Sequence, residues 1–305
     1  MSIVVRVPAS AANLGSGVDC MGVALSLYLE VTFRPADQTS FRFQMSDGSR
    51  PVLSDDENLI LVAMRCAATH LGRSLPDCEV TVQSDVPLSR GLGSSSSAIV
   101  AGLLGGFLLL GETPANETLL RLATALEGHP DNVTPALLGG FTVAAAGESG
   151  EIRYQKLTVA PLSAVVGIPD FHLSTHAMRQ ALPETVSLAD AVRQVQRVSL
   201  LTAALQNGAV DLLNEATQDL LFTPPRAPFM PYLYDAFALG RANGAYCCMI
   251  SGAGPTVLAL CSTSAADAVQ TAWQKMFAQK EIPARVLVLP VDHTGAVWTR
   301  KEEET

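Results

Sequence analysis

The residues best suited to chemistry in this chain lie in short glycine- and serine-bearing stretches that start or stop apolar runs. The densest is Pro87-Leu88-Ser89-Arg90-Gly91-Leu92-Gly93-Ser94-Ser95-Ser96-Ser97. Gly91 and Gly93 permit backbone angles that expose successive N–H groups and let a ligand approach closely. The serines stand where the N-cap and first turn of a helix should begin. Free N–H groups and the positive end of the helix dipole then converge on one spot, which suits a phosphate. Hydroxyls there can also donate to phosphate oxygens or ligate Mg²⁺. A flexible linker would stay polar on both sides, whereas this stretch runs into the apolar Ala98–Leu110. A plain helix cap needs one serine, which leaves the others unexplained. Phosphate binding accounts for the whole stretch better than either. The stretch is not a P-loop, since Gly-x-x-x-x-Gly-Lys-Ser/Thr is absent, and it is not a dinucleotide fingerprint.

A second group is Glu127-Gly128-His129-Pro130-Asp131-Asn132, at the end of an apolar helix. Solvent exposure is the ordinary reading of such a terminus. Its residue types are nevertheless useful, because a hard cation wants carboxylate oxygen beside phosphate oxygens. Glu127 can supply one such oxygen, and Ser95 or a neighbouring serine another. Two further turns, Pro8–Gly22 and Ser251–Thr256, read in isolation as a surface turn and a hairpin turn. An arginine's planar fork grips a carboxylate bidentately. By position alone Arg179 fits an ordinary helix start, and Arg226 in Thr223-Pro224-Pro225-Arg226 reads as a surface charge.

The elements that must position these residues mix strands and helices without regular βαβ alternation, which points to an α+β protein. Ile3–Val7, ended by Pro8, and Ser26–Arg34 read as strands around a glycine-rich turn, followed by strands at Phe41–Met45 and Glu79–Ser84. Asn58–Leu71 has helical spacing, Ala98–Leu110 is a buried helix, Asn116–Leu126 another helix, and Gly139–Ala145 a strand. A second segment opens near Ile152, dividing the chain into 1–151 and 152–305. It carries strands at Val159–Ile168, Tyr246–Ile250, Val257–Cys261 and Ala284–Leu289. Its helices are Ser187–Gln206, Val210–Leu221, Pro231–Asn243 and Ala265–Gln279.

The chain has 305 residues, 48% hydrophobic and 16% charged, so it can bury a sizeable core. Its net charge of −9 argues against a nucleic-acid partner, which needs a concentrated basic face. The longest apolar run is too short to cross a bilayer, and the N-terminus reads as a strand rather than a signal peptide. The six cysteines form no CxxC pair and read as small buried residues in a reducing compartment. The expectation is a soluble, cytoplasmic protein with no membrane partner.

Residues 87–97 match every fixed position of Pro-x-x-x-Gly-Leu-Gly-Ser-Ser. This pattern resembles the second motif of the galactokinase–homoserine kinase–mevalonate kinase–phosphomevalonate kinase superfamily. Pro8–Gly22 resembles the first motif of homoserine kinases, Ser251–Thr256 the superfamily's third, and 127–141 a homoserine kinase signature. The resemblance spans Val4 to about Arg285. It implies a ribosomal-protein-S5-like N-terminal domain, a ferredoxin-like C-terminal domain, and an active site in the cleft between them. It further implies that residues 87–97 wrap the phosphates of ATP, and that Ser95 and Glu127 hold Mg²⁺. Asn13, Asp19, His129, Asn132, Arg179, Arg226 and Gly252 fall near L-homoserine by the same resemblance, with Thr175 near the transferring phosphate. The reaction implied is phosphorylation of the homoserine hydroxyl, a step toward threonine, by a homodimer. The superfamily's catalytic aspartate is replaced here by Asn132, which cannot take a proton, so orientation of the hydroxyl is the role left to it. The alternatives are a related kinase with a mevalonate-type or sugar acceptor, and a nucleotide-binding sensor without turnover.

Overall fold

A computed structural model describes residues 1–46, 48 and 51–301. Its strands are β1 (Ser2–Leu14), β2 (Gly17–Pro35), β3 (Ser40–Met45), β4 (Cys78–Ser84), β5 (Phe141–Ala146), β6 (Ile152–Leu157), β7 (Ser163–Pro169), β8 (Ala245–Ile250), β9 (Val257–Cys261), β10 (Ala284–Pro290) and β11 (Val297–Lys301). Its helices are α1 (Leu59–His70), α2 (Ser94–Leu109), α3 (Asn116–Glu127), α4 (Pro130–Leu138), α5 (Thr175–Gln180), α6 (Leu188–Asn207), α7 (Leu213–Ala216), α8 (Thr223–Arg226), α9 (Leu233–Ala242) and α10 (Ala266–Gln279).

Two sheets organise the chain. The first runs β11-β1-β2-β4-β3, with β5 pairing β2 and β6 pairing β5, and only β3–β4 is parallel. Leu29, Val31 and Phe33 alternate with more exposed neighbours, so that face of β2 enters the core under the helices. The second sheet runs β10-β7-β9-β8, entirely antiparallel, in a βαββαβ chain order. This is the expected ferredoxin-like arrangement. Its strands are buried on both sides: Ala164, Val166 and Ile168 join the core shared with the first sheet. Val165 and Ala259 face a second core around Tyr232, Trp273 and Phe277.

Helix α2 is apolar nearly all round because it lies beneath α1 and over the sheet. A Cβ on Gly102 would stand 2.4 Å from the Ile60 carbonyl oxygen, so the absence of a side chain lets α1 and α2 touch backbone to backbone. That contact fixes where the N-terminus of α2 points.

Three expectations are corrected, and one helix is added. β1 does not stop at Pro8. It continues to Leu14, because a register shift between Pro8 and Ala9 accommodates the missing N–H. The expected helix over 210–221 is a 3-10 turn and the short α7, ended where the Asp219 carboxylate accepts backbone N–H groups of Leu221, Phe222 and Thr223. The division at 151/152 falls inside the β5–β6 hairpin, whose register is continuous across it, and β11 returns to the first sheet. By sheet membership, therefore, the second unit covers β7–β10. Finally, residues 130–138 form α4, not foreseen because Pro130 and Pro135 disguise its helical pattern.

Candidate active site

The serine-rich start of α2 is an uncapped helix end. Gly93 takes the N-cap position in the left-handed region at φ +69°, and no side chain among the described residues caps it. The first intrahelical bond here runs from the Ser97 N–H to the Gly93 oxygen at 2.9 Å. The N–H groups of Ser94, Ser95 and Ser96 precede that bond and point off the helix end. Ser89 (φ +53°) and Gly91 (φ +76°) bend the preceding loop. The loop is held from both sides: the Ser10 N–H donates to the Leu92 oxygen at 3.1 Å, and Ser251 Oγ donates to the Gly91 oxygen at 2.6 Å. The first and third motifs thus clamp the second.

Glu127 ends α3 opposite this helix start. Its Oε1 accepts from Ser95 Oγ at 2.6 Å and from Ser96 Oγ at 2.9 Å. Gly128 then reverses the chain, Pro130 opens α4, and His129 stands at the N-cap. Asp131 is fully buried. His129 Nδ1 contacts its Oδ1 at 2.5 Å, while its Oδ2 meets no donor among the described residues. Asn132 follows with its Oδ1 accepting from Ser10 Oγ at 2.9 Å.

The β1–β2 turn supplies Asn13 and Asp19, both non-glycine residues at positive φ (+56° and +54°). Strain of this kind persists where surrounding structure holds it, and it concentrates at functional sites. The six-residue spacing has a local cause: Asn13 Oδ1 accepts the Asp19 N–H at 2.8 Å across the turn. Asp19 in turn pairs with Arg179 of α5 at 3.0 and 3.3 Å. Thr175 opens α5, and its side chain lies outside the described residues.

Arg226 is 4% exposed, not the surface charge that its position alone suggests, because Thr223–Arg226 forms a helical turn folded inward. Its Nη1 reaches the Gly252 oxygen at 3.4 Å, its guanidinium lies over the Phe222 ring, and its Nε has no partner among the described residues. Burial lowers its pKa, with the Asp219 charge opposing that effect. A buried fork with an unused donor is poised for an anion.

These groups open on one cavity of about 430 Å³, lined by Asn13, Ser94, Ser95, Glu127, His129, Asn132, Arg179, Arg226 and Gly252. Of residues 87–97, Leu88 to Gly91 and Gly93 to Ser95 line it. Leu92, Ser96 and Ser97 are buried, and Pro87 faces a separate cavity. The Arg90 guanidinium is committed to Asp170 at 2.8 Å and His172 at 2.5 Å. Three features escaped the sequence reading. Phe43, Met45 and Val82 form an apolar end of the cavity, Asp131 lies beneath His129, and Ser10 lies behind Asn132. Only Ser10 carried any local signal, as a lone hydroxyl among alanines on a buried strand.

The electrostatics are mixed. Ligand-type atoms of Asp19, His129 and Asp131 lie within 4.8 Å of one another. Burial alone would lower the His129 pKa. The hydrogen bond and charge of Asp131, with the Glu127 charge, carry it above 6.5. The Cys20 thiol is pushed up to about 11 by burial and then by Asp131 and Asp19, so it is no nucleophile at neutral pH. The His129 shift has a measurable sign. Protonated His129 stabilises the fold fully below pH 6.5, and that contribution fades as pH rises through its elevated native pKa. The urea midpoint of His129→Asn is therefore expected to fall furthest below the parent's at acidic pH, with the gap narrowing on the alkaline side. A gap that widens with pH contradicts the arrangement.

An amide-lined anion seat, a carboxylate beside it, and a pocket of both charge signs can hold a phosphorylated donor against a small zwitterionic acceptor. Comparison with known proteins agrees. Residues 58–140 match the GHMP kinases N terminal domain and residues 201–279 the GHMP kinases C terminal region. A homoserine kinase of Desulfitobacterium hafniense is 39% identical over 96% of this chain and 98% of its own length. One from Carboxydothermus hydrogenoformans is 38% identical over 97% and 96%. The crystal structure of homoserine kinase from Cytophaga hutchinsonii superposes with a TM-score of 0.88 at 30% identity, covering 98% of this chain and 97% of that one. The chain belongs to the homoserine kinases, within the GHMP kinase family.

Proposed function

We propose that the protein transfers the γ-phosphoryl group of ATP to the hydroxyl of L-homoserine, giving ADP and O-phospho-L-homoserine on the route to threonine. The observation that carries this reading is the shared cavity. The uncapped start of α2, with Glu127 on its serines, opens into the space that Asp19, His129, Arg179 and Arg226 also line or border.

In this reading the amides of Ser94–Ser96 hold triphosphate oxygens, and the apolar wall of Phe43, Met45 and Val82 takes the adenine. Ser95 and Glu127 hold Mg²⁺. The donor set fits, since Oε1 of Glu127 takes both serine hydroxyls and Oε2 makes no hydrogen bond to them. The metal would neutralise charge developing on the phosphates. The acceptor's carboxylate goes to the forks of Arg226 and Arg179, and its ammonium to Asp19. Because the Asp19–Arg179 pair is about 40% exposed at each end, a zwitterion can separate it at small cost. Asn132 orients the hydroxyl, whose proton leaves late to a phosphoryl oxygen. Bond making then depends on positioning and charge stabilisation rather than on a strong base. A cytoplasmic homodimer is the expected setting. The described residues contain no helix long and apolar enough to cross a membrane.

A coupled assay of ADP release with homoserine, serine, threonine and mevalonate as acceptors tests the reading. Homoserine should give by far the highest kcat/KM. Nucleotide binding without turnover on any of them, or preference for mevalonate, would overturn it.

A further inference from the structure

The bond between Ser10 and Asn132 is the point at which all the glycine-rich segments except the third meet. Ser10 lies on β1 and Asn132 on α4, 122 residues apart, and the Ser10 side chain is fully buried. Its backbone N–H is fixed to the Leu92 oxygen, so the residue has no freedom to slide along the loop. Gly93 closes the third side. A Cβ there would stand 2.1 Å from Ser10 Oγ and 3.1 Å from Asn132 Oδ1. The glycine that caps α2 is also the residue that makes room for this hydrogen bond.

We propose that Ser10 is a positioning residue that sets the polarity of the Asn132 amide, holding Oδ1 inward and presenting the Nδ2 hydrogens to the acceptor and the transferring phosphoryl group. The inference rests on the phosphoryl-transfer reading and adds a direction to it. A serine hydroxyl has one proton to give, and here it goes to Oδ1. The reverse amide orientation would strand that proton in a buried place. It would also turn a carbonyl oxygen toward the phosphate seat, where it is repelled. With Oδ1 engaged, Asn132 acts as a donor. The acceptor hydroxyl receives its hydrogen bond on oxygen, keeps a lone pair for attack on phosphorus, and has its own proton free. The new O–P bond forms as the bond from the γ-phosphorus to the bridging oxygen breaks. ADP leaves with that electron pair, and the hydroxyl proton passes to a non-bridging oxygen of the transferred group.

The test is a double-mutant cycle of Ser10→Ala and Asn132→Ala with full-length enzyme, magnesium, ATP and homoserine. Ser10→Ala is expected to lower kcat by roughly 10–100-fold, with the homoserine KM little changed. In the Asn132→Ala background the same change should have no further effect. An equal loss in both backgrounds, or full activity of Ser10→Ala, would overturn the proposal. Ser10→Cys, of similar size and with a weak donor, should fold normally and fall between the two; activity equal to the parent's would count against a role for the bond. A second readout needs no turnover. The Asn132 side-chain amide signal in a proton–nitrogen NMR spectrum, identified by its loss in Asn132→Asp, should shift when magnesium and adenylyl imidodiphosphate are added to the parent. In Ser10→Ala that shift should be lost. A parent amide indifferent to the nucleotide sinks the proposal even if homoserine is the right acceptor. A parent that shows the shift but phosphorylates no homoserine leaves Ser10's role standing and removes the assigned acceptor.

Discussion

Glu127→Gln is expected to bind adenylyl imidodiphosphate nearly as the parent does and to turn over about 100–1000 times more slowly. The substitution separates two things Glu127 does. Its Oε1 accepts from Ser95 and Ser96, and a glutamine oxygen can accept the same two hydroxyls. The start of α2 therefore keeps its shape, and the amides proposed to seat the phosphates stay in place. What is lost is the negative charge beside them, which in the proposed function draws a divalent cation to this corner. Steady-state kcat together with titration of the analogue checks the outcome. A variant with parent-like kcat would mean that Glu127 only braces the serines.

Arg226→Ala is expected to raise the homoserine KM by about 10–100-fold, the equivalent of losing roughly 1.5–3 kcal/mol of charged hydrogen bonding, and to leave ATP binding nearly intact. Arg226 is buried, and among the described residues its Nε has no partner and its one hydrogen bond is a long one to Gly252. Little native structure leans on its guanidinium, so the cost falls on the ligand that would complete it. Arg226→Lys should recover only part of the loss, because an ammonium cannot reproduce the planar fork. Equal weakening of ATP and homoserine would show that the arginine supports the cleft as a whole.

The parts of this site that could be read from sequence are those with local causes. Gly91, Gly93 and the serines after them make a turn and a helix start within a few residues. The Asn13–Asp19 spacing likewise reflects one hydrogen bond across one turn. Helix α2 was visible because it is apolar on every side. What could not be read depends on pairings distant in the chain. Ser10 meets Asn132, Arg90 meets Asp170, and β11 returns to β1, none of which leaves a periodic trace. The burial of Arg226 is hidden from local sequence for a related reason. Its two prolines read locally as a surface loop, while the Asp219 carboxylate, gathering the N–H groups of residues 221–223 and the amide of Gln194, turns that loop inward. Pro8 ended a strand in the sequence reading because a proline normally does so, and the bulge that excuses it exists only once β2 is alongside.

The seating of the triphosphate decides the account, and a crystal structure of the protein with magnesium, adenylyl imidodiphosphate and homoserine observes it directly. The expected map has phosphate oxygens against the amides of residues 94–96, the metal between them and Glu127, and the homoserine hydroxyl beside Asn132. Phosphates bound away from the start of α2, with Glu127 still holding only its two serines, would contradict it.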